Sequence, residues 1–216
     1  VDVVHHLLAQ QPGKAIRTQH QPAMPWRDIP EFIKTHLQKS KHHDQTHPLL
    51  ELLILTATRS GEIRGTRWNE VDSEGAIWTI PAERMKAGLP HRIPLSTRAL
   101  EILEAQKGLH EDLVFPSPRD QVVLSDMVLT SFLRRVKATS DTPGRIATAH
   151  GFRSSFRDWC SEQGYPRDLA ERALAHTISN KVEAAYHRTD LLEQRRPMME
   201  AWSVYCGSYG NGNDGN

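Results

Sequence analysis

Apolar residues recur at helical spacing in several separate stretches of the chain. A first helix is predicted after Asp28, which is expected to cap it, with Pro30 in its first turn. The nearly continuous apolar run at 48–56 predicts a helix that is buried on most sides. Amphipathic patterns predict two more helices, at about 97–106 and 125–137.

Between the second and third predicted helices, the periodicity changes to that of strands. The runs at 75–81 and 91–95 are short and rich in β-branched and aromatic residues, which predicts a small antiparallel sheet with a hairpin. Lys86 lies at or near the hairpin tip, where a lysine is most often a solvated charge. The whole pattern predicts an α+β fold that is mainly α-helical.

The stretch at 149–186 predicts three short helices that fold back on one another. His150 and Arg153 are three residues apart, so a helix places them on one face. The second helix ends at His176, and the third presents Tyr186. We expect these four side chains to reach one spot the size of a phosphate group.

Such a site needs a second fixed positive charge, and Arg59 is the candidate. It lies at the junction where Ser60 and Gly61 end one helix and start the next. Glu62 follows in the new first turn, where a carboxylate is favoured. Taken alone, an arginine at this position is more often part of a surface ion pair with a nearby acid.

The segment after the tyrosine predicts a last helix, with Asp190 as its cap and Glu193 three residues on. Pro197 lies inside this pattern and is expected to kink the helix or divide it in two. The apolar side of 191–204 can pack on its own domain or on a neighbouring subunit, and the sequence does not decide between them.

Composition is that of a soluble globular protein, with 38% hydrophobic and 25% charged residues among 216. No apolar run has the length needed to span a membrane. Cys160 and Cys206 are too few for a disulfide framework, which predicts a reducing cytoplasm. The net charge of only +1 does not indicate a nucleic-acid binder, but basic residues concentrate at 134–172.

Five short motifs, in order, resemble those of the tyrosine recombinases, and most closely those of phage and satellite-prophage integrases. They are T-A-T-R-S-G-E-I with Arg59, the hairpin lysine Lys86, H-G-F-R with His150 and Arg153, L-A-H with His176, and A-A-Y-H-R with Tyr186. The resemblance covers about 26–205. Ala57 and Ala175 replace glycines that are common in the family, and we expect these to be small-for-small changes.

The resemblance implies a site-specific DNA recombinase that cleaves and rejoins DNA through a 3′-phosphotyrosine, for integration and excision of a prophage or genomic island. It implies no metal, cofactor or nucleotide, because the tyrosine ester conserves the energy of the broken bond. The implied roles are Tyr186 as nucleophile, Arg59 and Arg153 as the phosphate clamp, His176 as a further donor, His150 as base, Lys86 as acid and Glu62 as support for an arginine.

The implied partners are double-stranded DNA attachment sites and further copies of the chain, as a tetramer on DNA. An excisionase and a host DNA-bending protein are additional partners that the resemblance suggests, in a bacterial cytoplasm and associated with the nucleoid. The predicted organisation is a linker or the end of a missing N-terminal DNA-binding domain at 1–25, a catalytic domain at 26–206 and a disordered tail at 207–216.

Three alternatives remain open at this point. A type IB topoisomerase uses a similar phosphotyrosine step, and a non-catalytic DNA-binding module can derive from a recombinase. A metal hydrolase would depend on one polar loop that contains His42, His43, Asp44 and His47. We disfavour this last alternative, because metal sites usually draw their ligands from separate elements.

Overall fold

The computed structural model describes residues 20–38, 44–176 and 189–208. Eight α-helices and three β-strands lie in these ranges. The helices are α1 (Ile29–Phe32), α2 (Thr46–Thr56), α3 (Ser60–Arg64), α4 (Thr97–Glu104), α5 (Val128–Arg135), α6 (Gly151–Glu162), α7 (Arg167–Ala173) and α8 (Leu192–Gly207); the strands are β1 (Val71–Asp72), β2 (Ile77–Ile80) and β3 (His91–Pro94). The predicted α+β class, mainly helical, is confirmed.

Helix α2 forms the centre of the domain. All its residues from Leu49 to Thr56 are buried, and it packs against α3, α4, α5, α6 and α8. The one buried charge in this run is Glu51, whose carboxylate accepts hydrogen bonds from Nε and Nη2 of Arg98 at 2.7 and 3.2 Å. The apolar run therefore predicted both the helix and its burial correctly.

The three strands form one antiparallel sheet in the order β1-β2-β3, so the predicted hairpin is β2-β3. In its register Trp78 pairs with Ile93, and Ile80 pairs with His91. All four of these side chains are buried, because this face of the sheet covers the helical core. The sheet therefore anchors both ends of the turn that contains Lys86.

The chain before α1 packs against the beginning of α6. The carbonyl oxygen of Pro22 accepts a hydrogen bond from the backbone N–H of Thr148 at 3.0 Å, and Ala23 and Met24 are buried. A Cβ atom at Gly151 would lie 2.1 Å from the Pro22 oxygen. Only glycine fits at this close approach, which gives a physical reason for the second residue of H-G-F-R.

Helix α8 packs on its own domain, against α2, α4, α7 and β3. Met198, Trp202 and Cys206 are buried, and the Trp202 indole donates a hydrogen bond to the carbonyl of Ile54 at 2.8 Å. Most of the apolar side of the last helix is therefore covered by its own domain, whereas Val204 stays exposed.

Two helix predictions were wrong in part. Pro197 does not divide α8, which is a single helix, and the kink that was the other expectation stays a prediction. Proline has no N–H, so Pro197 cannot donate the helical hydrogen bond to the carbonyl of Glu193. Both residues are exposed, so water can hydrate that carbonyl. Asp28 makes no side-chain cap, because a 3-10 turn at Trp26–Asp28 leads directly into α1, and Ile33–Leu37 then continues as π-helix.

The last helix also begins differently from the prediction. Leu191, in the left-handed conformation with φ 52°, takes the N-cap position in place of Asp190. Oδ1 of Asp190 still accepts a hydrogen bond from the backbone N–H of Leu192 at 3.3 Å. Within the described ranges, no helix is both long and apolar enough to cross a lipid bilayer.

Candidate active site

Arg59 is fixed by Glu62 at the start of α3. The Glu62 carboxylate accepts from the backbone N–H of Arg59 at 2.8 Å and from its Nη1 at 2.7 Å. Glu62 is buried, whereas the Arg59 side chain keeps about a quarter of its surface exposed, at 26%. A buried carboxylate that holds both the backbone and the guanidinium leaves few positions for Arg59 and orients its remaining donors.

Arg153, on α6, is buried between the C-terminal ends of two other helices. Its Nη1 donates to the carbonyl of Ala57, after α2, and its Nη2 donates to the carbonyl of Leu174, after α7, both at 2.6 Å. Helix C-termini carry partial negative charge and favour a cation there. Burial nevertheless lowers the pKa of Arg153 to about 10, with a further contribution from the charge of Arg59.

Both helix ends that hold Arg153 contain a residue in the left-handed conformation. Ala57 has φ 51° and Ala175 has φ 48°. The N–H of His176 bonds to the carbonyl of Glu171, and that of Ala175 bonds to the carbonyl of Arg172, which is the Schellman arrangement at a helix end. Positive φ strains alanine but not glycine, so these replacements are not merely small-for-small, as the sequence had suggested.

His150 precedes α6 and is exposed, although part of its ring contacts the protein. Burial of that part lowers its pKa, and the charges of Arg153, Arg59 and His176 lower the pKa further. Its ring is therefore neutral at pH 7, with one nitrogen able to accept a proton.

His176 follows α7 and has a carboxylate partner. Its Nδ1 lies 2.5 Å from Oε2 of Glu171, and Glu171 also pairs with Arg157, with Nε 2.7 Å from Oε1. Partial burial lowers the pKa of His176, the hydrogen bond to Glu171 opposes that shift, and the charge of Arg153 adds to it. With its proton on Nδ1, neutral His176 presents Nε2 as an acceptor.

Four of the six predicted catalytic side chains therefore lie near one another. The charges of Arg59 and Arg153 affect the pKa of both His150 and His176. Such mutual effects require the four groups to lie close together.

Two predicted residues are not part of this group. Lys86 lies in the exposed turn before β3, and its ammonium group has no hydrogen bond or ion pair in the described part of the chain. Tyr186 lies outside the described residues.

The histidine loop was the other candidate site. His42 and His43 lie outside the described residues. Asp44 and His47 face each other, with 3.6 Å between Oδ2 and Nδ1, and the His47 ring packs edge-on against Phe132. Among the residues with described positions, no three His, Cys, Asp or Glu side chains converge as a metal site would require.

The sequence did not reveal three kinds of contact at this site. Glu171 is five residues before His176, and α7 ends between them, so helical spacing does not predict that these two side chains meet. The carbonyl groups of Ala57 and Leu174, which accept from Arg153, belong to the backbone, so residue type does not indicate these contacts. His91 is the third: it is buried in β3, and its Nε2 lies 3.2 Å from the carbonyl oxygen of Ala173.

This geometry agrees with the comparison to known proteins. The phage integrase family matches residues 25–192, and the chain belongs to that family. The prophage integrase IntA of Escherichia coli K12 is 36% identical over 197 residues, which cover 88% of this chain and 46% of IntA. The integrase of enterobacteria phage P4 is 34% identical over 206 residues, which cover 88% of this chain and 46% of that protein.

The chain thus spans about half the length of these relatives. Among solved structures, the integrase of mycobacterium phage Brujita matches with a TM-score of 0.59 at 18% identity, covering 84% of this chain and 57% of that one. A lambda integrase dimer bound to a core site matches with a TM-score of 0.56 at 22% identity, covering 82% and 63%. The predicted resemblance to the tyrosine recombinase catalytic domain is confirmed.

Proposed function

We propose that this chain is the catalytic domain of a site-specific recombinase that integrates and excises a prophage or genomic island. In this proposal it cleaves and rejoins DNA through a 3′-phosphotyrosine intermediate. The observation that supports it best is the proximity of two arginines and two histidines, with Glu62 holding Arg59. Relatives that are named as a prophage integrase and as the integrase of a phage support the biological role.

The arginines supply the electrostatic part of the mechanism. When the phosphodiester is attacked, negative charge grows on its non-bridging oxygens, and donors fixed in advance stabilise that charge. Arg59 and Arg153 are both held by bonds that do not use their whole donor set, so each has N–H groups left for phosphate oxygens. Their forked geometry suits two oxygens of one phosphate.

The two histidines differ in their environment, and this suggests their roles. A bound phosphodiester brings a negative charge that favours the protonated form of a nearby imidazole. His176 already has the Glu171 carboxylate, so it is the ring that gains this proton and donates through Nε2. His150 has no such hydrogen-bonded carboxylate in the described structure, stays neutral and accepts the proton of the nucleophile.

The bond changes are assigned as follows. The Tyr186 oxygen attacks phosphorus as its proton passes to His150, and the bond between phosphorus and the 5′-oxygen breaks. Lys86 protonates that leaving oxygen. A 5′-hydroxyl of a second strand then reverses these steps and releases Tyr186. The roles of Tyr186 and Lys86 rest on the sequence motifs.

Contacts to the DNA backbone are proposed for four exposed basic residues at the end of α5 and in the segment that follows it. Arg134, Arg135, Lys137 and Arg145 are exposed and make no ion pair within the described ranges. Exposed cations without an ion pair neutralise phosphates and make binding depend on salt. A solved lambda integrase dimer is bound to a core site and a tetramer is bound to a Holliday junction, which supports double-stranded DNA and self-association here.

The remaining expectations form part of the same proposal. A tetramer on paired attachment sites, an excisionase and a host DNA-bending protein would complete the reaction in a bacterial cytoplasm, near the nucleoid. The catalytic domain is proposed at 26–206, with a linker or domain end at 1–25 in which residues 22–24 pack on the start of α6. A tail is proposed at 207–216, beginning at the last residue of α8.

A nicked suicide duplex that carries the crossover sequence tests the proposal, because cleavage traps the covalent intermediate on it. The chain should form a covalent adduct with this DNA, and Tyr186→Phe should form none. Arg59→Ala and Arg153→Ala should each slow adduct formation by about 10²–10³-fold, as for loss of one oxyanion donor. An adduct at another residue, or relaxation of DNA without exchange between two sites, would contradict the assignment.

A further inference from the structure

The turn that contains Lys86 is anchored on both sides by buried contacts to the elements that hold the arginines. On the N-terminal side, Arg84 donates through Nη1 to the Glu70 carboxylate and through Nη2 to the carbonyl of Glu62. Glu62 is the residue that holds Arg59. Arg84 therefore links the segment just before Lys86 directly to α3, the helix that begins immediately after Arg59.

The Glu70 side of this contact is itself rigid. Glu70 is buried, and Oε2 also accepts a hydrogen bond from the indole N–H of Trp78, on β2, at 3.0 Å. The Arg84 guanidinium also lies within 2.9 Å of where a Cβ at Gly65 would be, so it fills the space beside the end of α3. Such a paired and largely buried arginine has one geometry rather than many.

On the C-terminal side of the turn, His91 makes the second anchor. It is five residues after Lys86, and its Nε2 donates to the carbonyl of Ala173, at the end of α7. The next carbonyl along the chain, that of Leu174, accepts from Arg153. Two neighbouring carbonyls of one helix end thus fix the exit strand of the turn and the second arginine relative to each other.

The tautomer of His91 is fixed by its partner. A carbonyl can only accept, so Nε2 must carry the proton. Burial lowers the pKa of His91 to about 4, with a further contribution from Arg195, and the ring therefore stays neutral at the pH of the cell. The anchor is an ordinary donor rather than a charge.

We propose that Arg84 and His91 are positioning residues that place Lys86 over the phosphate held by Arg59 and Arg153. The proposal rests on the proposed function, because it assumes that Lys86 is the acid. Lys86 itself is exposed and makes no polar contact in the described structure, so only the two ends of its turn can determine where it reaches. The clamp arginines have their own anchors, so loss of Arg84 or His91 displaces the lysine in preference to the clamp.

The test compares two leaving groups. In a 5′-phosphorothiolate, the bond between phosphorus and sulfur breaks and the thiolate departs without needing a proton, whereas the ordinary 5′-oxygen needs one. A residue that acts through Lys86 should therefore matter for ordinary DNA and not for the sulfur substrate. A residue that only stabilises the fold should affect both substrates equally.

The variants are His91→Leu, which removes the donor, and His91→Gln, whose amide N–H replaces Nε2. Arg84→Met removes the other anchor but keeps the length of the stem. Arg67→Met is its matched control, since Arg67 pairs with Asp112 at an exposed site. Lys86→Ala serves as the reference for loss of the acid.

We expect His91→Leu and Arg84→Met to slow cleavage of ordinary DNA by about 10–10²-fold, as a misplacement of about 1 Å does. On the phosphorothiolate, both should come within about threefold of the parent chain. His91→Gln and Arg67→Met should cleave both substrates at nearly the parental rate.

Equal slowing on both substrates, or no slowing on either, would overturn the positioning roles while Lys86→Ala is still rescued by sulfur. If the sulfur substrate does not rescue Lys86→Ala, Lys86 is not the acid, and the positioning roles of Arg84 and His91 are then refuted as well. If Tyr186→Phe still forms the adduct, the proposed function fails instead. The three results are distinguishable in one set of assays.

Discussion

Replacing Ala57 or Ala175 by glycine tests whether the two left-handed alanines strain the helix ends that hold Arg153. Both have φ near +50°, where an L-residue loses about 1–2 kcal/mol and glycine loses none. The matched control for Ala57 is Ala170, which is also buried but lies inside α7. Ala201, half-buried inside α8, is the matched control for Ala175.

The expected magnitudes follow from three contributions. Relief of the left-handed strain stabilises by about 1–2 kcal/mol, and the freer unfolded chain opposes this by about 0.4–1 kcal/mol. Removing a buried methyl group opposes it by about 0.8 kcal/mol. Ala57→Gly should therefore leave the free energy of unfolding almost unchanged, and Ala175→Gly, which is less buried, should raise it slightly.

The control alanines have no left-handed strain to relieve, so their glycine variants keep only the two destabilising contributions. In a helix interior, glycine is less favourable than alanine by about 1 kcal/mol, and the lost methyl group adds to this. Ala170→Gly should lower the free energy of unfolding by about 2 kcal/mol. Each matched pair should therefore differ by about 2 kcal/mol.

Thermal unfolding, followed by circular dichroism, measures the difference. For a chain of this length, about 2 kcal/mol corresponds to a difference of about 4–8 °C between the melting temperatures of Ala57→Gly and Ala170→Gly. If the two variants melt together, the left-handed residues carry no strain and the reasoning about these helix ends is refuted. Adduct formation should be preserved in Ala57→Gly, because the carbonyl that holds Arg153 remains.

Three further predictions concern single side chains. Gly151→Ala should destabilise the fold by about 1–3 kcal/mol in chemical denaturation, because the new Cβ would lie 2.1 Å from the Pro22 carbonyl oxygen; parental stability would contradict that packing. Acid should destabilise the protein through His91, because its pKa of about 4 in the folded chain lies below the reference value of 6.5. The unfolded chain therefore binds the proton first as the pH falls. The free energy of unfolding decreases between these two pKa values, by about 3 kcal/mol in full. His91→Gln should flatten that part of the curve of unfolding free energy against pH, and a curve that keeps its slope would argue against it. Glu62→Gln should slow adduct formation by about tenfold or more without weakening DNA binding, because Arg59 loses its charged partner, and an unchanged rate would show that Arg59 needs no such support.

The sequence predicted those parts of the fold that depend on local periodicity. The apolar run at 48–56 identified the central helix, and the β-branched runs identified the hairpin. The predicted side-chain cap at Asp28 was wrong because the chain enters α1 through a 3-10 turn, and no pattern in the sequence indicates that turn. The division at Pro197 did not occur, because the effect of a proline depends on which side of the helix faces water.

The site was predictable only in part, for a different reason. The motifs indicated Arg59, His150, Arg153 and His176, which the structure brings together. The groups that fix them are backbone carbonyls and residues distant in sequence, such as Glu171 and His91, and no local pattern encodes those pairings. Ala57 and Ala175 looked like simple size changes because a dihedral angle cannot be read from residue type alone.

The position of Arg153 between two helix termini also limits what the site will hold. Each terminus contributes up to about half a unit of negative charge, so much of the guanidinium's charge is offset before any ligand arrives. We expect free inorganic phosphate to compete poorly for this centre. In the proposed reaction, a scissile group delivered by an extended duplex does not depend on that weak local attraction, and it gains most from the arginine as its own charge increases during bond breakage.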